Sequence, residues 1–150
     1  MATIDEITHE ISVMIPKLMK GARSSFLSKT NISSAQMIML ISIHDCEQCK
    51  VKTLAKERGI SPPTATGLID RLVHSGYVKR EQSLDDRRVV RVSLTKKGNK
   101  VVCDFLHTVQ ARWKNILKKL TAKEQKQYLN ILRKIVGILS EKEDQETPIS

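Results

Sequence analysis

The sequence predicts a mainly α-helical protein with a small β-hairpin wing: a winged helix-turn-helix domain joined to a helical region for dimerisation. Three observations carry this. Two short helical patterns between Lys50 and Gly76 are separated by Gly59-Ile60-Ser61. The period then drops to two, with Tyr77, Val78, Val90, Val92 and Leu94 alternating with Lys79, Arg80, Arg91 and Ser93. Long amphipathic segments flank the block on both sides.

Within the block, the first short helix spans Lys52 to Arg58, turns Leu54 and Ala55 inward and stops at Gly59. Ser61 is a suitable N-cap for the second helix, and Pro62 fits its first position, where no N–H is needed. Ala65, Leu68, Ile69 and Leu72 form one apolar face, leaving Thr64, Thr66, Gly67, Asp70 and Arg71 on the polar side. Gly76 closes this helix. Between the two strands lies the charged loop Ser83-Leu84-Asp85-Asp86-Arg87-Arg88.

Such a second helix can enter a major groove and reach base edges, while the wing can lay an arginine in a neighbouring minor groove. Charge agrees with double-stranded DNA as the partner. Lys50 to Lys97 holds twelve Lys or Arg against five Asp or Glu, a net of +7 within a chain total of +10.

The run from Thr64 through Gly98 resembles the MarR family of bacterial and archaeal transcription regulators. Asp86, Arg88, Leu94, Thr95 and Gly98 match that family's acidic-basic wing, its strand and the Leu-Thr-x-x-Gly that opens the next helix. Leu68, Asp70, Arg71, Leu72 and Gly76 match its recognition helix, and the flanking helices match in order and length. The resemblance implies a homodimer, with the first and last helices of two chains intertwined. It implies regulation of transcription, more commonly repression, and release by small phenolic or amphipathic anions bound in a cleft between lobes. It also implies that a wing acid pairs with a recognition-helix base, here Asp86 with Arg71.

Position assigns the remaining roles. Ser61 and the first-turn amides are expected to hold a phosphate. Thr64 and Thr66 face base edges or thymine methyls. Arg88 is the leading minor-groove residue and Arg87 a phosphate contact. Arg71, Lys52, Lys56, Lys79 and Arg91 complete the expected DNA-binding set. Gly67 departs from the longer polar residue common in the family, and Pro63 lacks an N–H, so shape readout through the wing is expected to carry more of the specificity.

Outside the block, Thr3 to about Ser28 reads as a helix with Ile4, Ile7, Ile11, Met14, Ile15, Leu18, Ala22 and Phe26 along one broad face, kinked at Pro16. Ser34 to about His44 is an apolar helix. Thr95 opens a helix reaching about Lys119, roughly 36 Å at 1.5 Å per residue, enough to join two lobes. Thr121-Ala122-Lys123-Glu124 is a capping box for a last helix carrying Tyr128, Leu129, Leu132, Ile135, Val136 and Leu139. Its end, Glu141 to Ser150, is expected to fray. Residues 1–30 and 99–150 thus form the dimerisation region and 31–98 the DNA-binding domain. Met14, Leu18, Met37 and Phe105 are candidates for lining an effector cleft.

No run of eighteen apolar residues supports a membrane span, and the N-terminus lacks signal-peptide features, so a cytoplasmic protein without membrane attachment is expected. Three cysteines are expected as reduced thiols. Cys46-Glu47-Gln48-Cys49 has the spacing of half a zinc site or of a dithiol switch. Cys103 and His107, one helical turn apart, could complete a metal set only if the two regions meet. The plainer expectation is two incidental thiols in a surface turn, with a metal- or thiol-responsive regulator as the alternative. No cysteine precedes Cys46, unlike the family's peroxide-sensing branch. No cofactor is expected. An enzyme is not expected either, because no phosphate loop, no nucleophile with a placed base and no isolated carboxylate pair stand out.

Overall fold

A computed structural model describes residues 1–46 and 48–145. The chain order is α1 (Ile4–Leu27), α2 (Ser34–Cys46), β1 (Cys49–Lys50), α3 (Val51–Glu57), α4 (Pro62–His74), β2 (Val78–Gln82), β3 (Val90–Leu94), α5 (Lys96–Leu117) and α6 (Ala122–Gln145). The expected helices are all present, within a few residues at their ends. The expected two-stranded hairpin is instead one part of a three-stranded antiparallel sheet in the order β1-β3-β2. The added strand is two residues long and pairs Cys49 with Val92 and Lys50 with Arg91. The last helix continues to Gln145, so the stretch expected to fray from Glu141 is helical that far. The side chain of Ala22, residue Glu47 and the tail 146–150 lie outside the described residues.

Two compact units are defined, Met1–Val109 and Gln110–Ser150. In the first, α2 supplies Met37, Met39, Leu40 and Ile43 to a core completed by Leu54, Ala55, Ala65, Ile69, Leu72, Val78, Val92 and Val102. Phe26 meets Phe105 edge-on with centroids 5.4 Å apart, anchoring the C-terminal end of α1. Met37 and Phe105, considered for an effector cleft, are therefore core or core-packed residues. Most of α1 is different. It is one helix through Pro16, capped by Thr3 and Glu6 in a reciprocal pair of hydrogen bonds of 2.8 and 3.3 Å. Ile4, Ile7, Ile11, Met14, Ile15 and Leu18 along it are exposed.

In the second unit, the Thr121 N–H and hydroxyl donate to Glu124 at 2.7 and 2.8 Å, and the Glu124 N–H donates back to the Thr121 hydroxyl at 3.3 Å. Those backbone and side-chain bonds hold the Glu124 carboxyl below the usual glutamate range. The Gln125 amide donates to the Leu117 and Leu120 carbonyls, closing the turn between helices. Trp113 lies 5.7 Å from Tyr128, and with Leu117, Leu129 and Leu132 they line an apolar groove. Leu129, Leu132, Ile135, Val136 and Leu139 are exposed along α6.

Candidate nucleic-acid interface

The two helices of the turn are cut to length by matching C-terminal stops. Gly59 and Gly76 adopt positive φ of 59° and 79°. The residue after each returns its N–H to the helix, Ile60 to Ala55 at 3.1 Å and Tyr77 to Leu72 at 2.9 Å. This is the Schellman arrangement, and the left-handed residue it needs is glycine in both places. At the other end of α4, the Ser61 hydroxyl accepts the Thr64 N–H at 3.3 Å and lies 2.7 Å from the Thr64 hydroxyl. Pro62 and Pro63 have no N–H. The first turn therefore leaves no free amide among its first three positions, which corrects the expectation that first-turn amides hold a phosphate. Any anion contact there falls to hydroxyl groups.

The wing is held to α4 by the segment that opens α5. The Thr95 hydroxyl donates to the Gly76 carbonyl at 2.6 Å and accepts the Gly98 N–H at 3.1 Å. The Thr95 N–H donates to the Tyr77 carbonyl at 3.1 Å. Lys97 donates to the Ser75 carbonyl at 2.8 Å and lies 4.5 Å over the Tyr77 ring. Gly98 is buried against Tyr77 so closely that a Cβ there would overlap the Tyr77 carbonyl group. The Leu-Thr-x-x-Gly pattern is thus a lashing between the recognition-helix end, the root of β2 and the start of α5.

At the wing tip, Asp86 accepts the Arg88 N–H on its carboxylate at 2.9 Å, and its carbonyl accepts the Val89 N–H at 3.0 Å. Asp86 therefore shapes the turn that presents Arg87 and Arg88, both exposed. It is not ion-paired with Arg71, as the sequence reading expected. The acid–base link between α4 and the sheet runs the other way, from Asp70 on α4 to Arg80 on β2. Asp70 and Arg80 were both visible in the sequence as charged residues. What sequence could not show is that β2 emerges beside α4 with Arg80 turned to it.

Between α4 and the wing lies a groove of about 740 Å³ lined by Lys50, Lys52, Thr66, Asp70, Arg80 and Arg88, among others. It gathers three of the expected DNA-binding residues, Lys52, Thr66 and Arg88, together with Asp86. It adds Lys50 and Arg80, which were not in that set. Ser61, Thr64, Arg71, Lys56, Lys79 and Arg87 are exposed outside the groove lining, and Arg91 is half-buried in β3 opposite Glu81. Lys79 lies 3.5 Å from Glu81, an exposed pair of little energetic weight.

The cysteines differ from expectation. Cys46 and Cys49 are paired as a disulfide, with Cα atoms 5.9 Å apart, and Cys49 is buried at 4% exposure. Cys103 on α5 is a free, half-buried thiol. Among the described residues no group of three or more His, Cys, Asp or Glu is placed to hold a metal ion, so Cys103 and His107 do not complete a site with the pair. No described helix is long and apolar enough to cross a membrane.

A capped, polar-faced helix, a basic groove beside it and an arginine-tipped wing define a winged helix-turn-helix protein built for DNA. Comparison with known proteins agrees. A model of the MarR family matches residues 32–90. The chain is 34% identical over 119 residues to the HTH-type transcriptional regulator YfiV of Bacillus subtilis (strain 168), covering 77% of this chain and 74% of that protein. It is 26% identical over 138 residues to the HTH-type transcriptional repressor MdtR of the same organism, covering 90% and 89%. The crystal structure of Streptococcus pneumoniae FabT in complex with DNA superposes with a TM-score of 0.81 at 21% identity, covering 93% of this chain and 99% of that one. The chain belongs to the MarR family and is a DNA-binding transcription regulator. That family is one of regulators, not enzymes.

Proposed function

We propose that the protein is a homodimeric repressor that binds an inverted-repeat operator in the cytoplasm, where its DNA lies, and that a small amphipathic effector releases it. The observation that carries the DNA-binding half is the groove joining α4 to the wing, where Lys50, Lys52, Arg80 and Arg88 converge beside Thr66. Two such sites related by a two-fold axis would meet successive major grooves about 34 Å apart. Support for repression comes from MdtR, a repressor by name, and support for DNA as partner from the FabT complex.

The dimer reading rests on exposed apolar surface. Ile7, Ile11, Met14 and Leu18 on α1, and Leu132, Ile135, Val136 and Leu139 on α6, are large hydrophobics left to solvent in a single chain. A second copy burying them satisfies both helices. Residues 1–30 and 99–150 serve that role, with 31–98 on the DNA. This functional division does not follow the compact units, because Val102 of α5 is buried in the core around the DNA-binding helices.

The test is a genomic-fragment binding selection with wild type and Arg88→Ala in parallel at two salt concentrations. One inverted repeat recovered by wild type and weakened by the substitution is the expected result. Salt-sensitive binding without an enriched sequence would instead describe a basic DNA-coating protein.

A further inference from the structure

We propose that Cys46 and Cys49 form a reversible dithiol–disulfide switch that sets the affinity of the winged helix for DNA. The inference rests on the DNA-binding reading above and adds a trigger to it. Cys46 is the last residue of α2 and is exposed, whereas Cys49 is the first residue of β1 and is buried. A solution reagent therefore reaches Cys46, and Cys49 is the resolving thiol. With a low-molecular-weight disulfide as oxidant, the Cys46 thiolate attacks one sulfur and expels one thiolate. The Cys49 thiolate then attacks the Cys46 sulfur of the mixed disulfide and expels the second. Two protein thiols lose two protons and two electrons, and the oxidant is reduced to two thiols.

The bond lies at a point where it matters for the site. β1 is held by only two residue pairs, Cys49 with Val92 and Lys50 with Arg91. Val92 is in turn paired with Arg80 across β3 and β2, so Cys49, Val92 and Arg80 form one cross-strand row on one face of the sheet. Arg80 ends that row in its ion pair with Asp70 of the recognition helix. On the same short strand, Lys50 stands at the N-cap position of α3 and lines the groove with Lys52 and Arg88. Closing the disulfide ties β1 to the end of α2 and fixes Lys50 and Lys52 at the groove. Opening it leaves a two-residue strand free to fray, loosening both the groove floor and the row that reaches Asp70. The disulfide form is the stronger DNA binder.

The test uses full-length protein carrying Cys103→Ser, so that only the pair can oxidise. The probe is the DNA fragment recovered in the selection above, titrated after equilibration with oxidised or reduced glutathione. The oxidised form is expected to bind about fivefold tighter or more. Cys46→Ser, an exposed change that leaves the core intact, is expected to bind like the reduced form under both conditions. Equal affinity of the two forms, or failure of the pair to oxidise at any glutathione ratio, would overturn the switch while leaving the regulator reading intact. Recovery of no fragment by either form in the selection itself would overturn the regulator reading and the switch with it.

Discussion

Replacing Gly98 by Ala should cost the protein a large part of its stability, although alanine is the better helix former. A Cβ at this position would overlap the Tyr77 carbonyl, with the carbonyl carbon 2.9 Å and the Cα 3.3 Å away. Carbon atoms pack at about 3.5–4.0 Å, so the start of α5 has to retreat by about 1 Å. The retreat strains the Thr95 bonds to Gly76 and Tyr77, now 2.6 and 3.1 Å. Overpacking costs about 1–3 kcal/mol and each lost hydrogen bond about 1 kcal/mol, against about 1 kcal/mol gained in helix propensity. The net loss is about 2–4 kcal/mol. Urea unfolding at one fixed protein concentration should show the midpoint falling by about 1–2 M at constant slope. Gly67→Ala is the internal control, since nothing lies within 4 Å of its added Cβ and its backbone is helical. It should be neutral or stabilising by up to about 1 kcal/mol. A Gly98→Ala protein within about 1 kcal/mol of wild type would refute the close approach of α5 to the wing root.

Asp70→Asn should free Arg80 for phosphate, tightening binding to random-sequence DNA and steepening its salt dependence in filter or anisotropy titrations, with stability changed by less than about 1 kcal/mol. Because the Glu124 carboxyl is held below its ordinary range in the fold, its capping contribution is complete above that range. It is lost as pH falls through the lowered value, so wild type should lose its thermal-stability advantage over Glu124→Gln on acidification. Ile135→Asp, at a side chain 47% exposed in the single chain, should convert dimer to monomer in sedimentation equilibrium while far-ultraviolet circular dichroism is retained.

The turn and wing were legible in the sequence because their determinants are local. Gly59, Ser61 with Pro62, Gly76 and the Thr95-to-Gly98 run each mark a boundary within four residues of the structure they make. β1 was not legible. A two-residue strand has no periodicity, and its identity depends on β3 passing beside it some forty positions later. Burial of Cys49 follows from that pairing, so a thiol that reads as a surface-turn residue lies in the core. The same limit explains the mispaired wing acid. Asp86 finds its partner two residues away in the backbone, while Asp70 and Arg80 meet only because the Gly76 turn brings β2 back past α4.

These pairings limit which groups the site can offer to DNA. The first turn of α4 has two prolines and a capped Thr64 amide, Gly67 presents no side chain, and Asp70 is committed to Arg80. That leaves the hydroxyls of Thr64 and Thr66 and the Arg71 guanidinium as the helix's own means of contacting base edges, a small set compared with the bidentate pairs that usually carry major-groove discrimination. The wing, by contrast, offers two adjacent arginines on a turn shaped by Asp86, and Arg88 lines the groove that also holds Lys50 and Lys52. Readout on this division should come more from groove width and deformability than from base edges. Operator positions under the wing should then tolerate exchange between A·T and T·A but not to G·C. The positions opposite Thr66 should show the weaker preference.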